Sequence, residues 1–177
     1  MVKIKVKLDP GAVMPTRATS GSVGYDVKSL KTYIVRGDGT ELPMMDEYDC
    51  LSMQKNRIDI AKIKIDTGVH VQPEPGYYVE LVPNSRIAKT SFVSANSIGI
   101  IDPDYTGSIR AVFDCVNNVS AEELERFIPY NVIGQLIIRK KHDAYLIPVN
   151  SLDDTERGDG GFGSTDRDRL DYQEWYR

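Results

Sequence analysis

Apolar and polar residues alternate along much of the chain. Residues 2–8, Val-Lys-Ile-Lys-Val-Lys-Leu, put an apolar side chain at every even position and lysine at the odd ones. A period of two is that of a half-buried strand, here with a lysine face. Ile58, Ile60, Ile63 and Ile65 predict another strand, whose phase slips near Ala61-Lys62 as a β-bulge would cause. Val69-His70-Val71 alternates again, and Tyr77 to Val82, Ile133 to Ile138 and Ala144 to Val149 predict further strands. Turns punctuate them at Asp9-Pro10-Gly11, Met14-Pro15-Thr16, Asp66-Thr67-Gly68 and Pro73-Glu74-Pro75-Gly76. The helix signal is Ser120-Ala121-Glu122-Glu123, a capping box with Leu124 and Phe127 on one face, limited to a turn or two by Pro129. Short strands between Pro/Gly turns predict an all-β fold, a jelly-roll-like sandwich or barrel with one short helix.

Two stretches break the rhythm. Residues 36–57 have no clear period and are expected to form a surface insertion built as a hairpin arm. From Ser151 onward the composition shifts to Asp, Arg and Gly. The expected organisation is a β domain over 1–150, carrying the insertion at about 36–57, and a flexible Gly-rich arm over 151–177.

Composition narrows the class. At 177 residues, 41% hydrophobic and 27% charged, the chain suits one soluble domain with its own core. A formal net charge of −4 gives no global attraction to nucleic acid or an anionic membrane. Cys50 and Cys115 are too few for a disulfide framework or a zinc site, and His70 and His142 are expected to be structural or exposed rather than ligands. No apolar run approaches a membrane span, and the N-terminal residues lack a signal-peptide core. A soluble, intracellular, cytoplasmic setting is expected, with nuclear or viral origin left open.

The central chemistry lies in Asn96-Ser97-Ile98-Gly99-Ile100-Ile101-Asp102-Pro103-Asp104-Tyr105-Thr106-Gly107. Two acids and a ring at the end of an apolar strand make a place to bind and attack a small molecule, or simply a Pro-Asp turn between strands. The local pattern leaves both open. Four other stretches stand out: Gly24-Tyr25-Asp26, Pro83-Asn84-Ser85-Arg86-Ile87-Ala88-Lys89-Thr90, Ile133-Gly134-Gln135-Leu136, and Arg157-Gly158-Asp159-Gly160-Gly161-Phe162-Gly163-Ser164-Thr165. A glycine-dense loop such as the last lets backbone N–H groups approach phosphate oxygens, with Ser164 and Thr165 as hydroxyl donors and Arg157 as a planar cation.

In this order the five stretches resemble the motifs of the homotrimeric dUTP pyrophosphatases, over about residues 15 to 165. The resemblance implies hydrolysis of dUTP to dUMP and pyrophosphate with Mg²⁺, in a trimer whose sites are shared between subunits. Asp102 becomes the general base for a water that attacks the α-phosphorus in line. Tyr105 becomes the platform under the deoxyribose, and Asn96 and Gly99 fall in the hairpin that presents backbone groups to uracil. Ser85, Arg86, Gln135 and Arg157 become phosphate-side donors, with Gly163, Ser164 and Thr165. Phe162 stacks on the uracil as the arm closes as a lid. Asp26 supports the metal through water, because a triphosphate brings Mg²⁺ with its own oxygens.

Two motifs depart from the family pattern. The second has Asn84 where the family carries arginine, with Arg86 displaced from that place by two positions past Ser85. The missing charge lowers activity or passes its role to Lys89. In the fourth, Asn131-Val132 replaces an acidic-basic pair, while Gln135 is kept.

Two rival readings stand beside this one. A dCTP deaminase on the same fold shares Pro103 and Ile133-Gly134-Gln135-Leu136, but its proton-shuttling Glu falls here on Val112, which moves no proton. A nucleotide-gated, protein-binding regulator would use the insertion or the aromatic tail from Tyr172 to Tyr176 to dock a partner. Asp102, Tyr105 and Phe162 together favour the working hydrolase.

Overall fold

The computed structural model describes residues 1–161, so Phe162, Gly163, Ser164 and Thr165 lie outside the described residues. The chain divides into a unit from Met1 to His142 and a second that begins at Asp143. All the strands and helices described belong to the first unit.

Strand β1 (Ile4–Leu8) pairs antiparallel with β6 (Val69–Pro73), matching Val6 with Val71 and Leu8 with Val69. Its even positions from Val2 to Val6 are half-buried and its lysines exposed, as alternation requires. A five-stranded sheet follows the order β4 (Glu41–Met44), β3 (Lys31–Arg36), β5 (Ile60–Asp66), β10 (Arg110–Cys115), β8 (Phe92–Ser94). In it Val35 pairs with Lys62 but Arg36 with Ile60, so Ala61 is the extra residue of a bulge at the expected place. A four-stranded sheet has the order β2 (Tyr25–Lys28), β11 (Val132–Lys140), β7 (Tyr77–Val82), β9 (Gly99–Ile101), every pair antiparallel.

One core cluster joins the sheets. It takes Ile34, Ile63 and Phe113 from the five-stranded sheet and Val27, Val79 and Leu136 from the four-stranded one. Phe127 sits against Phe92 at 5.1 Å and Phe113 at 5.3 Å between ring centroids, tilted rather than stacked, as ring quadrupoles favour. The fold is mostly β, as the alternation predicted. The capping box also forms, with Glu123 N donating to Ser120 Oγ at 3.3 Å and Ser120 N to Glu123 Oε2 at 2.9 Å. It opens α2 (Ala121–Leu124), which runs into a 3₁₀ turn at Glu125–Phe127.

Two expectations need correction. The 36–57 stretch is not merely a surface arm. It holds β4 and a second helix, α1 (Glu47–Lys55), N-capped by Asp46, whose carboxylate accepts from Asp49 N at 3.0 Å. Met44, Cys50 and Met53 from this stretch are buried in the core. Burial, seconded by neighbouring acids, pushes the Cys50 thiol up to about 12, so it remains a packed thiol. The second correction concerns residues 144–149, which carry no strand and are exposed. Tyr145, Leu146, Ile147 and Val149 expose most of their apolar surface there.

Candidate active site

Register across the four-stranded sheet gathers the separated motifs. Asp26 pairs with Gln135, and Gln135 on its other side with Val82, the residue before Pro83-Asn84-Ser85. One step along, Tyr25, Leu136, Leu81 and Gly99 form a continuous row. At about 4.8 Å between neighbouring strands, two strand spacings put Asp26 roughly 10 Å from the entry to the second motif. Gly24 makes room for this. A Cβ there would lie 2.8 Å from Gln135 Cβ and collide with its Oε1. Asp26 and Gln135 are both half-buried.

The central stretch enters this sheet as β9. Asn96 lies before it, in a turn where Ser97 adopts φ 57 and Ser94 Oγ donates to Asn96 Oδ1 at 3.2 Å. Asp102 lies after it, its carbonyl accepting from Tyr105 N at 3.1 Å to close a four-residue turn. Pro103 presets the second position of that turn. Asp102 and Asp104 are exposed, and Tyr105 is 44% exposed with its hydroxyl donating to Ser108 O at 2.9 Å. The ring lies over Gly107, where a Cβ would come within 2.6 Å of Tyr105 Cζ. Asp102 and Tyr105 therefore share one turn, with Asn96 and Gly99 at the other end of the same short strand.

Beneath the turn is a polar support that the sequence did not announce. Thr67 donates its hydroxyl to Ile109 O at 2.7 Å, and Ile109 N donates to Val69 O at 2.8 Å. Ser108, itself buried, gives its hydroxyl to Asp66 Oδ1, which also accepts from Gly68 N at 3.0 Å. Burial opposes charge on Asp66, yet these donors, with Arg110 and Lys31 nearby, outweigh it and hold the carboxyl below its usual range. Asp66-Thr67-Gly68 reads as a turn in the sequence, and nothing in that pattern names Ser108 as its partner.

The second motif is a 3₁₀ turn at Ser85–Lys89. Asn84 is its cap, accepting from Arg86 N at 3.0 Å through its side-chain oxygen. Ser85 and Arg86 are exposed. Arg86 lines a cavity of about 390 Å³ with Asn84, Glu47, Glu122, Glu125 and Arg126, and Ser85 is not part of that lining. Within the second unit, Arg157 begins a tight turn, its Nε donating to Gly160 O at 2.9 Å while Gly158 takes φ 55. Val112 of β10 pairs with Lys64 of β5.

A protein-family model described as dUTPase matches residues 48–166. The chain belongs to the dUTPase family. It is 32% identical over 168 residues to the deoxyuridine 5'-triphosphate nucleotidohydrolase of Nautilia profundicola, covering 93% of this chain and 99% of that protein. The fowl adenovirus A serotype 1 protein of the same name is 29% identical, over 96% of this chain and 83% of its own. Among solved structures, a dUTPase variant of Staphylococcus bacteriophage 80alpha with dUpNHpp superposes with a TM-score of 0.67 at 22% identity, over 92% of this chain and 98% of that one. A mutant dUTPase of phage phi11, solved for the coordination of a structural Mg(II) ion, gives 0.62 at 19% identity, over 86% and 99%. These structures agree with the chain in fold. Among the described residues no helix is long and apolar enough to cross a membrane.

Proposed function

We propose a division of labour for this dUTPase, which hydrolyses dUTP to dUMP and pyrophosphate. Asp102 is the general base. Its carboxylate takes a proton from a water, the water oxygen bonds to the α-phosphorus, and the bond from that phosphorus to its bridging oxygen breaks. Pyrophosphate leaves with the electron pair, and dUMP remains. Tyr105 underlies the sugar, leaving no space for a 2′-hydroxyl. Asn96 and Gly99 offer backbone groups to the uracil edge, and a base that leaves those groups unpaired is penalised. Ser85, Arg86 and Gln135 grip the phosphates, and Arg157 with Phe162, Gly163, Ser164 and Thr165 closes the site.

The observation that carries this reading is the row across the four-stranded sheet. It sets Asp26, Gln135 and the start of the second motif one step from the Leu81–Gly99 pair, at the end of β9 opposite to Asp102. Three separated motifs meeting at one level support a common phosphate grip, and sites shared between subunits bring an Asp102 turn to it.

Mg²⁺ is the implied cofactor. Among the described residues no group of three or more His, Cys, Asp or Glu side chains gathers as a metal cage. The ion would be held chiefly by phosphate oxygens and waters, with Asp26 against one of the waters. When bound, the ion offsets phosphate charge. The protein's own part is to orient the chain of phosphates against Ser85 and Gln135.

The active form is a homotrimer with sites shared between subunits. Exposed Ile98 and Ile100 on the central stretch support a partner surface in the first unit, and exposed Tyr145, Leu146, Ile147 and Val149 support one in the second. The test is to incubate the protein with Mg²⁺ and each of dUTP, dCTP, dTTP and UTP, measuring pyrophosphate and ammonia. Pyrophosphate from dUTP alone is expected. Ammonia from dCTP would replace the hydrolase by a deaminase, and silence on all four would favour a binding protein.

A further inference from the structure

His70 is the group whose contacts the reaction scheme above leaves unused. In the sequence it is a lone histidine on an alternating strand. In the fold its side chain is 15% exposed, and both ring nitrogens are engaged. Nδ1 lies 2.8 Å from Thr106 O, and Nε2 lies 3.1 Å from Asp9 Oδ1. A carbonyl and a carboxylate only accept, so each nitrogen that bonds must carry a hydrogen.

Both ends of this bridge are informative. Thr106 follows Tyr105 directly and lies four residues from Asp102, on the exit of the turn that carries both. Asp9 is fixed by the backbone around it, its N donating to Gly68 O at 2.8 Å and its carbonyl accepting from Ala12 N at 3.0 Å. β1 and β6 place Leu8 opposite Val69 and Lys7 opposite His70, so the ring spans from a paired strand to the turn. Ser108 on Asp66 holds the turn's far end. Among the described residues, His70 supplies the side-chain bond on the peptide between Tyr105 and that anchor.

We propose that His70 is a positioning residue for catalysis. Held by Asp9, it fixes the Thr106 carbonyl and thereby the placement of Asp102 and Tyr105 against the nucleotide. The proposal rests on the assignment of Asp102 as base. Its leverage comes from in-line attack, where a misplacement of about 1 Å costs on the order of a hundredfold in rate.

The test compares wild type with His70→Phe, His70→Gln and Asp9→Ala in the full chain. Phe keeps a planar ring and has no donor, and Gln keeps one N–H for Thr106 O. His70→Phe is expected to lower kcat on dUTP by about tenfold or more while KM moves less than about threefold, since ground-state contacts survive. Gln recovers most of the lost kcat. Asp9→Ala shows a smaller loss of the same kind, and adding it to His70→Phe costs nothing further, because both act through one bridge. Amide hydrogen exchange at Tyr105, whose N–H closes the turn, is faster in His70→Phe and Asp9→Ala. Unchanged exchange in both variants overturns the clamp, and faster exchange with kcat within about twofold of wild type overturns its catalytic role. Asp102→Asn run alongside separates the two assignments. Undiminished turnover in that variant defeats the base, whereas the clamp is read by exchange at Tyr105 alone.

Discussion

The two sides of the candidate site are held in different ways. The turn carrying Asp102 and Tyr105 is bonded to residues far away in the chain. His70 reaches Thr106 across 36 residues, and Thr67 and Asp66 reach Ile109 and Ser108 across 42. The turn of the second motif, the proposed phosphate side, is held by its neighbours, Arg86 N on Asn84 and Thr90 Oγ1 on Ile87 O, across two and three residues. Long-range bonds fix a position against the core, whereas short-range ones fix only a local shape. The difference matches the two tasks. In-line attack depends on placing one carboxylate and one ring to a fraction of an ångström, but gripping phosphates depends on having enough donors and charge nearby. In the proposed scheme, an exposed turn with Asn84 in the arginine's place is therefore expected to be tolerated better than the same freedom at Asp102.

The largest expected effect is on the held side. Asp102→Asn preserves shape and removes the proton acceptor, so kcat should fall by about 10³-fold. Binding of a non-hydrolysable dUTP analogue, measured calorimetrically, should stay within a few-fold of wild type, on the order of 1 kcal/mol or less. Turnover near the wild-type rate would move the chemistry off this turn and break the comparison.

On the loosely held side the effect is smaller and double-edged. Asn84→Arg restores a cation beside Ser85 but deletes the cap on Arg86 N. Losing a cap costs about 1 kcal/mol, or a fall of ~2–4 °C in Tm for a chain of this size. A charge-assisted bond to phosphate offers about as much or more, so kcat/KM for dUTP should rise about five- to tenfold while Tm falls. An unchanged kcat/KM with lowered Tm would show that Arg86 or Lys89 already supplies the charge.

Most of the fold is legible because strands declare themselves by period. Residues 2–8, Tyr77 to Val82 and Ile133 to Ile138 alternate or run apolar as their burial later requires, and the slip at Ala61 is visible as a broken phase. Helix α1 is not legible because its buried face is only Cys50 and Met53, too thin a stripe for a helical period, while Tyr48 and Leu51 face outward. Ala144 to Val149 has a strand's pattern without a strand's pairing in this chain, and pattern alone supplies no partner. For the site, resemblance to the family named Asp26, Asp102 and Gln135 from their motifs, but that Asp26 sits beside Gln135 follows only from register. His70, Asp66 and Ser108 were invisible for a simple reason. Each is a single polar residue whose partner is brought to it by tertiary structure, and one residue has no period.

The support under the turn makes one further, modest expectation. Asp66 has its carboxyl held below the usual range in the folded protein. A group with a lowered folded pKa stabilises the fold fully above its unfolded value, about 3.9 for Asp, and loses that contribution as pH falls through the folded value. Asp66→Asn keeps an oxygen for Ser108 and Gly68 but cannot carry the charge. The difference between a charged and a neutral acceptor is about 1 kcal/mol, so at pH 7 its Tm should lie ~2–4 °C below wild type. Glu80, held low by Arg139 and Tyr78, and Glu123, where the N–H groups of Ser120 and Ser91 outweigh burial, titrate in both proteins and cancel in the comparison. The gap between wild type and Asp66→Asn should therefore narrow on acidification through the ordinary carboxylate range and close only below the folded value, because only wild type takes up a proton at position 66. Thermal melts across that range decide it. A gap that stays constant would mean that Asp66 supports the turn by shape alone, and that the held side of the site owes nothing to its charge.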